Sequence, residues 1–154
     1  MAAEFEFIST SDKPALLVLT TPEFITASKT ALTGLGYKVQ AVTNHDDFIS
    51  RFAQIQYQVV VFEELFNASL PSDNKALVRF QWMPMGQRRH TTSFLIGNFQ
   101  TMNAMLAYHQ SVNAVINSAD LSRVAEIVRQ VTADNELFLS MYRDTQIRIA
   151  QGKA

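Results

Sequence analysis

The 154-residue chain is predicted to adopt an α/β fold, a doubly wound parallel sheet covered by helices on both faces. Five short apolar segments of strand length alternate with segments whose apolar residues recur at helical spacing. The apolar segments are continuous rather than alternating with polar residues, which is typical of strands buried on both faces. No tandem repeat interrupts this order, so we expect one sheet.

The first strand and helix have clear local signals. Residues 15–19 form the run Ala-Leu-Leu-Val-Leu, and Thr21 is a suitable N-cap for a helix with Pro22 at its first position. Gly34 and Gly36 end that helix. We therefore expect a strand at residues 15–19, followed directly by a helix that ends at Gly34 to Gly36.

The alternation continues through the second and third strands, residues 39–42 and 59–62. Between them, Asn44 is placed to cap a helix. The apolar residues of that helix follow i, i+4, i+7 spacing. They are Phe48, Phe52 and Ile55.

Residues 67–74 form a turn-rich loop, followed by a short helix over residues 75–82 that Pro84 stops. Trp82, at the end of this helix, is expected in the core.

The fourth and fifth strands are predicted at residues 93–96 and 114–116, and Thr101 is predicted to cap the helix between them. A long helix is predicted to begin near Asp120. Because sequential strands joined by helices are parallel, the flavodoxin-like order 2-1-3-4-5 is the leading prediction.

Composition excludes several classes of protein. A net charge of −1 offers no field for nucleic acid, and no apolar run approaches a membrane span. Zero cysteines exclude disulfides and thiol chemistry. His45, His90 and His109 have no mutual ligand spacing, so no metal is expected. No Gly-rich phosphate loop follows the first strand, and no cofactor is expected. The N-terminus lacks a signal-peptide pattern, and a cytoplasmic location is expected.

The run Tyr-Gln-Val-Val-Val-Phe-Glu at residues 57–63 resembles the central strand of a bacterial response-regulator receiver domain, in which an aspartate that accepts phosphate follows the last apolar residue. Here Glu63 takes that place. The resemblance covers residues 14–132 in strand count, spacing and loop placement. It leaves residues 1–13 as a polar leader and residues 133–154 as a helical extension.

The resemblance also locates the positions of the receiver phosphorylation pocket, and nearly all of them differ. Thr20 and Thr21 stand where receivers carry two acidic residues that hold magnesium. The place of the Ser/Thr after strand four corresponds to Gly97 or Asn98, and the lysine place after strand five to Asn117. Without three carboxylates and the lysine, magnesium binding and phosphoryl transfer are expected to be absent. The chain is therefore interpreted as a degenerate pseudo-receiver without enzymatic activity.

Two interpretations of Glu63 remain open at this point. Its carboxylate could mimic the charge of a phosphorylated aspartate and hold the domain in an output-competent state. Alternatively, Glu63 could be a solvated loop carboxylate beside Glu64, which is the favoured interpretation because the switch residues are missing as well.

The helical extension carries the strongest indication of activity, because its polar and apolar residues continue at the spacing of a coiled-coil seam. The seam residues are Val124, Val128, Val131, Asn135, Phe138, Tyr142, Thr145 and Ile149. An uninterrupted helix from Leu121 to Ala150 would be about 45 Å long at 1.5 Å per residue, too long to pack wholly on this sheet. The Asp134-Asn135 pair could instead cap a separate final helix that folds back.

Three functions are compatible with these patterns. The favoured one is a non-catalytic module of bacterial signal transduction that binds a protein: a kinase, an output protein or a second copy in a homodimer. The candidate contact residues are Met102, Met105, Leu137, Phe138, Met141 and Tyr142. The alternatives are a flavodoxin-like domain that binds flavin or another small molecule, with Thr20 and Thr21 at its phosphate, and an atypical receiver that is still phosphorylated.

Overall fold

A computed structural model describes residues 11–152 of the chain; most of the predicted polar leader, residues 1–13, therefore lies outside the described part. The strands are β1 (Pro14–Val18), β2 (Lys38–Ala41), β3 (Val59–Glu63), β4 (Thr92–Gly97) and β5 (Ala114–Asn117). The α-helices are α1 (Pro22–Gly34), α2 (His45–Gln54), α3 (Lys75–Gln81), α4 (Met85–Arg88), α5 (Ala104–Gln110) and α6 (Val124–Ala150). Two short 3-10 helices occupy Pro71–Asp73 and Ser118–Arg123.

The five strands form one parallel sheet in the order β2-β1-β3-β4-β5, which confirms the predicted fold class. Each strand end lies within one residue of its predicted position. Because all strands are parallel, the segments that follow them meet along one edge, the carboxyl edge, and those that precede them meet along the amino edge.

Each face of the sheet has its own apolar core, since successive side chains of a strand point to opposite faces. On one face, Leu16, Val60 and Leu95 pack with residues of α2, α3 and α5. On the other face, Leu17 and Val61 pack with residues of α1 and α6. Because side chains on both faces of the sheet enter a core, the strand sequences are mostly apolar.

Two local predictions are wrong. Asn103, not Thr101, caps α5: its Oδ1 accepts the N–H of Leu106 at 3.0 Å. The Thr101 hydroxyl is used elsewhere, since it accepts the N–H of Asn117 at 2.9 Å and donates to Asp120. Trp82 is 83% exposed, because the buried side of α3 is formed by other residues and the helix has ended before Trp82.

The last helix begins at Val124, after the 3-10 helix, and continues without interruption to Ala150. Its 27 residues correspond to about 40 Å at 1.5 Å per residue. Asp134 and Asn135 lie inside the helix, so the alternative of a separate final helix that folds back is wrong. Across residues 11–152, no helix is long and apolar enough to cross a membrane.

Candidate functional site

The carboxyl edge brings together polar residues from the ends of β1 and β3. Thr20 and Thr21 follow β1 and lead into α1, whereas Glu63 is the last residue of β3. Since β1 and β3 are neighbours in the sheet, with Val18 paired to Phe62, these three side chains were expected to lie close together, and they do.

Glu63 is bound by the chain segment between β1 and α1. Its Oε1 accepts the backbone N–H groups of Thr20 and Thr21, both at 2.9 Å. Its Oε2 accepts the Thr21 hydroxyl at 2.8 Å. Three donors thus surround one carboxylate at the N-terminus of α1, where the helix dipole also favours negative charge.

The environment of Glu63 rules out one of the two sequence-based interpretations. The residue is only 8% exposed and belongs to β3, so the expectation of a solvated loop carboxylate is wrong. Burial of a carboxylate requires hydrogen-bond donors, and the backbone of residues 20 and 21 supplies them. The carboxylate points toward β1 and α1, and none of the hydrogen bonds described for it reaches the ends of β4 or β5.

Two asparagines at the ends of the predicted loop, residues 67–74, complete this group. Asn67 donates its backbone N–H to the Thr20 hydroxyl at 3.2 Å, and its Nδ2 donates to the Thr43 carbonyl at 2.7 Å. Asn74 is fully buried: its Nδ2 donates to the Glu63 and Glu64 carbonyls at 2.8 and 3.1 Å. We refer to Thr20, Thr21, Glu63, Asn67 and Asn74 as the carboxyl-edge cluster.

The loop that carries Asn67 and Asn74 is also fixed from α2. His45 Nδ1 accepts the N–H of Ala76 at 3.1 Å, and its Nε2 lies 3.4 Å from the Asn67 carbonyl oxygen. Asn74 Oδ1 caps α3 by accepting the N–H of Leu77 at 3.2 Å. A residue of N-cap type directly before a helical segment was the available sequence signal for Asn74.

The end of β4 leaves no room for a side chain where receivers carry a serine or threonine. A Cβ atom added to Gly97 would lie 2.7 Å from Cε2 of Phe99 and 3.0 Å from Cβ of Glu64. Phe99 is buried, so its ring cannot swing freely out of the way. The next residue, Asn98, is exposed on the surface.

Asn117 belongs to a second polar group at the end of β5. Its Nδ2 donates to the Phe99 carbonyl at 2.7 Å, and its Oδ1 accepts the N–H of Ala119 at 2.8 Å. These bonds fix the turn that leads to α6. None of the hydrogen bonds described for Asn117 involves Glu63. The predicted pocket positions therefore divide: Thr20, Thr21 and Glu63 come together, whereas Asn98 and Asn117 lie apart from them.

This arrangement offers little to a cation or a phosphate. Over residues 11–152, no group of three or more His, Asp or Glu side chains is placed to hold a metal ion. The backbone N–H groups at the start of α1 would be natural donors to an anion, but they are already bound to Glu63. The same two N–H groups would be needed to hold the phosphate of a flavin.

The six predicted contact residues are all exposed, between 39% and 65%, but they lie at opposite edges of the sheet. The N–H of Met102 donates to the Val115 carbonyl, and Met105 follows in the first turn of α5, near the carboxyl edge. Asn135 of α6 donates to the Thr92 hydroxyl, at the amino edge, at 3.3 Å. The four residues beyond Asn135 therefore project past the amino edge; they are Leu137, Phe138, Met141 and Tyr142.

The start of this projection rests on α4. The guanidinium of Arg89 lies 4.5 Å from the centre of the Tyr142 ring, and Tyr142 stacks on Phe138 with ring centres 6.5 Å apart. From Met141 to the end of α6 every residue is exposed. The helical extension is thus attached at its base and uncovered along the rest of its length.

The parallel sheet in the order 2-1-3-4-5 is the flavodoxin-like fold, and response-regulator receiver domains are among the solved structures that share it, as the sequence predicted. Among solved structures, the chain is similar to the signal receiver domain of an HD domain-containing protein from Pseudomonas fluorescens Pf-5: TM-score 0.60, 15% identity, 87% of this chain and 96% of the other covered. For the chemotaxis response regulator CheY4 of Vibrio cholerae, the TM-score is 0.61 at 9% identity, with 79% and 99% covered.

A third similar structure joins a trimeric coiled-coil segment of yeast Spc42 to another protein: TM-score 0.61, 13% identity, 95% of this chain and 94% of that chain covered. No protein-family model matches the chain, and no curated protein does. At these identities the likeness is one of fold, and the function has to be argued from the residues.

Proposed function

We propose that the chain is a non-catalytic, receiver-like module of cytoplasmic signal transduction that binds protein partners without phosphorylation of an aspartate. The observation that carries the proposal is the state of Glu63. Its carboxylate is buried and is bound by Thr20 and Thr21, at the place where a receiver presents its phosphate acceptor. The carboxylate and the donors of this site thus satisfy one another.

The chemistry of phosphoryl transfer supports this proposal. Magnesium requires oxygen ligands in near-octahedral geometry, usually from carboxylates and water. Here two threonines replace two carboxylates, and the third carboxylate is held by backbone N–H groups. Without magnesium, and with Asn117 in the place of the receiver lysine, the developing charge on a transferred phosphoryl group would not be neutralised.

Treatment with acetyl phosphate or beryllofluoride in the presence of Mg²⁺ tests this part of the proposal. We expect no mass increase and no change in the amide spectrum of Thr20, Thr21 or Glu63. The matched variant carries Thr20→Asp, Thr21→Asp and Glu63→Asp, which restores three carboxylates; it should bind Mg²⁺ in calorimetry if it folds. Phosphate incorporation into the unmodified chain would instead establish the atypical receiver.

We further propose that the helical extension mediates self-association, with residues 14–132 as the receiver-like domain. Support comes from the uninterrupted course of α6 and from the exposure of Leu137, Phe138 and Met141 at 60% or more. Uncovered apolar side chains of this size favour a partner surface, and the seam spacing of α6 fits a second helix of the same kind. The similar solved structure that contains a trimeric coiled-coil segment of yeast Spc42 supports this proposal.

Light scattering tests the association. The double variant Leu137→Glu/Met141→Glu should reduce the particle mass to that of one chain, because these residues flank the seam residues Phe138 and Tyr142 and charges there oppose helix pairing. Ser140→Glu, on the same exposed stretch, is the control and should keep the mass of the unmodified protein. A single-chain mass for the unmodified protein at high concentration would contradict self-association but not the phosphorylation-independent role.

A further inference from the structure

A cavity of about 720 Å³ lies at the amino edge of the sheet, at the opposite end of the strands from the carboxyl-edge cluster. Its wall is formed by the ends of α3 and α5, by α4, by the residues at the starts of β4 and β5, and by α6 near Asn135. Pockets that bind small molecules commonly have volumes of about 300–1,000 Å³. The size of this cavity therefore fits a ligand site.

The basic side chains that line this cavity are Arg88, Arg89 and His109. Among residues 11–152, no Asp or Glu lines it. In the same part of the chain, the salt bridges join Lys38 to Asp12 and Arg51 to Asp47, so neither arginine of the cavity has a carboxylate partner there. Guanidinium groups beside a cavity without carboxylates favour an anionic ligand.

Backbone carbonyls hold both guanidinium groups in place. Arg88 Nε donates to the Met83 carbonyl at 3.0 Å, and its Nη1 donates to the Ser111 carbonyl at 3.2 Å. Arg89 Nε donates to the Met85 carbonyl at 3.3 Å. These bonds use only some of the N–H donors of each guanidinium and leave others for a ligand. Because the arginines are already oriented, less conformational entropy is lost when a ligand binds.

Asn113 adds a neutral donor to this wall. Its Oδ1 accepts the backbone N–H and the hydroxyl of Ser93 at 2.8 and 3.0 Å. Since a backbone N–H can only donate, the oxygen of the amide must face Ser93, which fixes the position of Nδ2 as well. None of the hydrogen bonds described over residues 11–152 uses that Nδ2, so it can donate to a ligand oxygen.

Aromatic rings form much of the remaining wall. Phe80 is buried, whereas Tyr108 is 80% exposed and Phe138 lies exposed on α6. The guanidinium carbon of Arg88 lies 6.0 Å from the centre of the Phe80 ring, so the basic and the aromatic parts of the wall are adjacent. A ligand ring that covers these side chains removes apolar surface from water and can stack on them.

We propose that this amino-edge cavity binds a small organic anion with an aromatic body, an aromatic phosphate or carboxylate. The anionic group accepts hydrogen bonds from Arg88, Arg89 and the Nδ2 of Asn113. The ring packs against Phe80 and Tyr108. Because α6 also lines the cavity, such a ligand joins the base of the helical extension to α4 and α5. The proposal rests neither on the state of the phosphorylation pocket nor on self-association.

Titration of the full chain with 1-naphthyl phosphate, followed by amide NMR spectra, tests the site. Saturable shifts are expected for residues 88–89 and 111–113, whereas Thr20 and Thr21 at the carboxyl edge should not shift. Inorganic phosphate lacks the ring and 1-naphthalenemethanol lacks the charge, so each should bind at least about tenfold more weakly. 1-Naphthoate should bind as well, and the tighter of the two naphthyl anions identifies the preferred anionic group.

Two outcomes of this titration would overturn the proposal. The first is the absence of saturable shifts at residues 88–89 and 111–113. The second is equal affinity for 1-naphthalenemethanol and 1-naphthyl phosphate, which would show an apolar pocket that does not select an anion.

Substitutions test the two parts of the wall separately. Arg89→Gln should weaken binding of 1-naphthyl phosphate by at least about tenfold, because a charge-assisted hydrogen bond is lost. Arg79→Gln makes the same charge change at an exposed residue of α3 outside the cavity, and its affinity should stay within about twofold of the unmodified protein. Equal affinities of these two variants would contradict the proposal.

Tyr108→Ala tests the aromatic part and does not depend on Arg89→Gln remaining folded. Tyr108 is 80% exposed, so its removal should leave the amide spectrum of the domain core unchanged. Binding of 1-naphthyl phosphate should weaken by about fivefold, because a ring that stacks on the ligand is lost. An unchanged affinity would show that the ligand ring does not lie in this cavity.

Discussion

The carboxyl-edge cluster and the helical extension differ in whether their side chains have contacts within the domain. In the cluster, polar atoms that could serve a ligand are bound to one another: Glu63 alone accepts three hydrogen bonds from the start of α1. In the extension, large apolar side chains that could be buried are left uncovered, with Leu137, Phe138 and Met141 all at least 60% exposed. The cluster satisfies polar groups within the domain, whereas the extension leaves apolar side chains exposed.

The two regions are expected to contribute differently to the stability of the single chain. Buried polar groups that are fully hydrogen-bonded fix a single arrangement and are costly to disturb. Exposed apolar residues contribute little to folding of the single chain, but they gain free energy when another surface covers them. Substitutions in the two regions should therefore separate effects on unfolding from effects on association.

The largest loss of stability is expected for Asn74→Ala. This change removes the cap of α3 and leaves the carbonyls of Glu63 and Glu64 without the Nδ2 donor, at a cost of about 2–4 kcal/mol. Asn103→Ala, which removes a cap from the half-exposed start of α5, should cost only about 1 kcal/mol. Urea unfolding of both variants measures the difference, and equal losses would show that the cluster has no special weight.

A smaller but more specific effect is expected at Glu63. Glu63→Ala leaves the N–H groups of Thr20 and Thr21 without their acceptor and should cost about 1–3 kcal/mol. Glu63→Gln keeps an oxygen for these donors and an amide for the Thr21 hydroxyl, so it should recover at least half of that loss. If both variants unfold alike, the hydrogen bonds of the carboxylate do not stabilise the cluster.

Alkaline pH offers a probe of the folded domain through the buried residue Tyr57. Burial raises the pKa of Tyr57, whose hydroxyl donates to Gln40, from 10.0 to about 12. Between these values the unfolded chain loses the proton first, so stability falls as the pH rises from 10 to 12, by at most about 2.7 kcal/mol at 1.36 kcal/mol per pKa unit. Tyr57→Phe should unfold with a shallower slope over this range, and an unchanged slope would contradict the assignment.

The sequence predicted the strands and helices that form both regions better than the side-chain contacts within them. Contiguous apolar runs located the five strands, and their order placed Thr20 and Thr21 beside Glu63. The direction of the Glu63 side chain could not be predicted, because it depends on backbone N–H groups that become available only when α1 begins beside β3. The roles of Asn67 and Asn74 were missed for a similar reason, since their acceptors are carbonyls from distant segments.

The smallest effect on stability is expected in the extension, where Leu137→Glu/Met141→Glu should change the unfolding free energy of the single chain by no more than about 0.5 kcal/mol. Both side chains are more than 60% exposed, so a charge there requires no burial, and the contact of Tyr142 with Arg89 is left in place. Urea unfolding at a concentration too low for association measures this value. A loss comparable to that of Asn74→Ala would mean that these residues support the domain itself, and the contrast between the two regions would then fail.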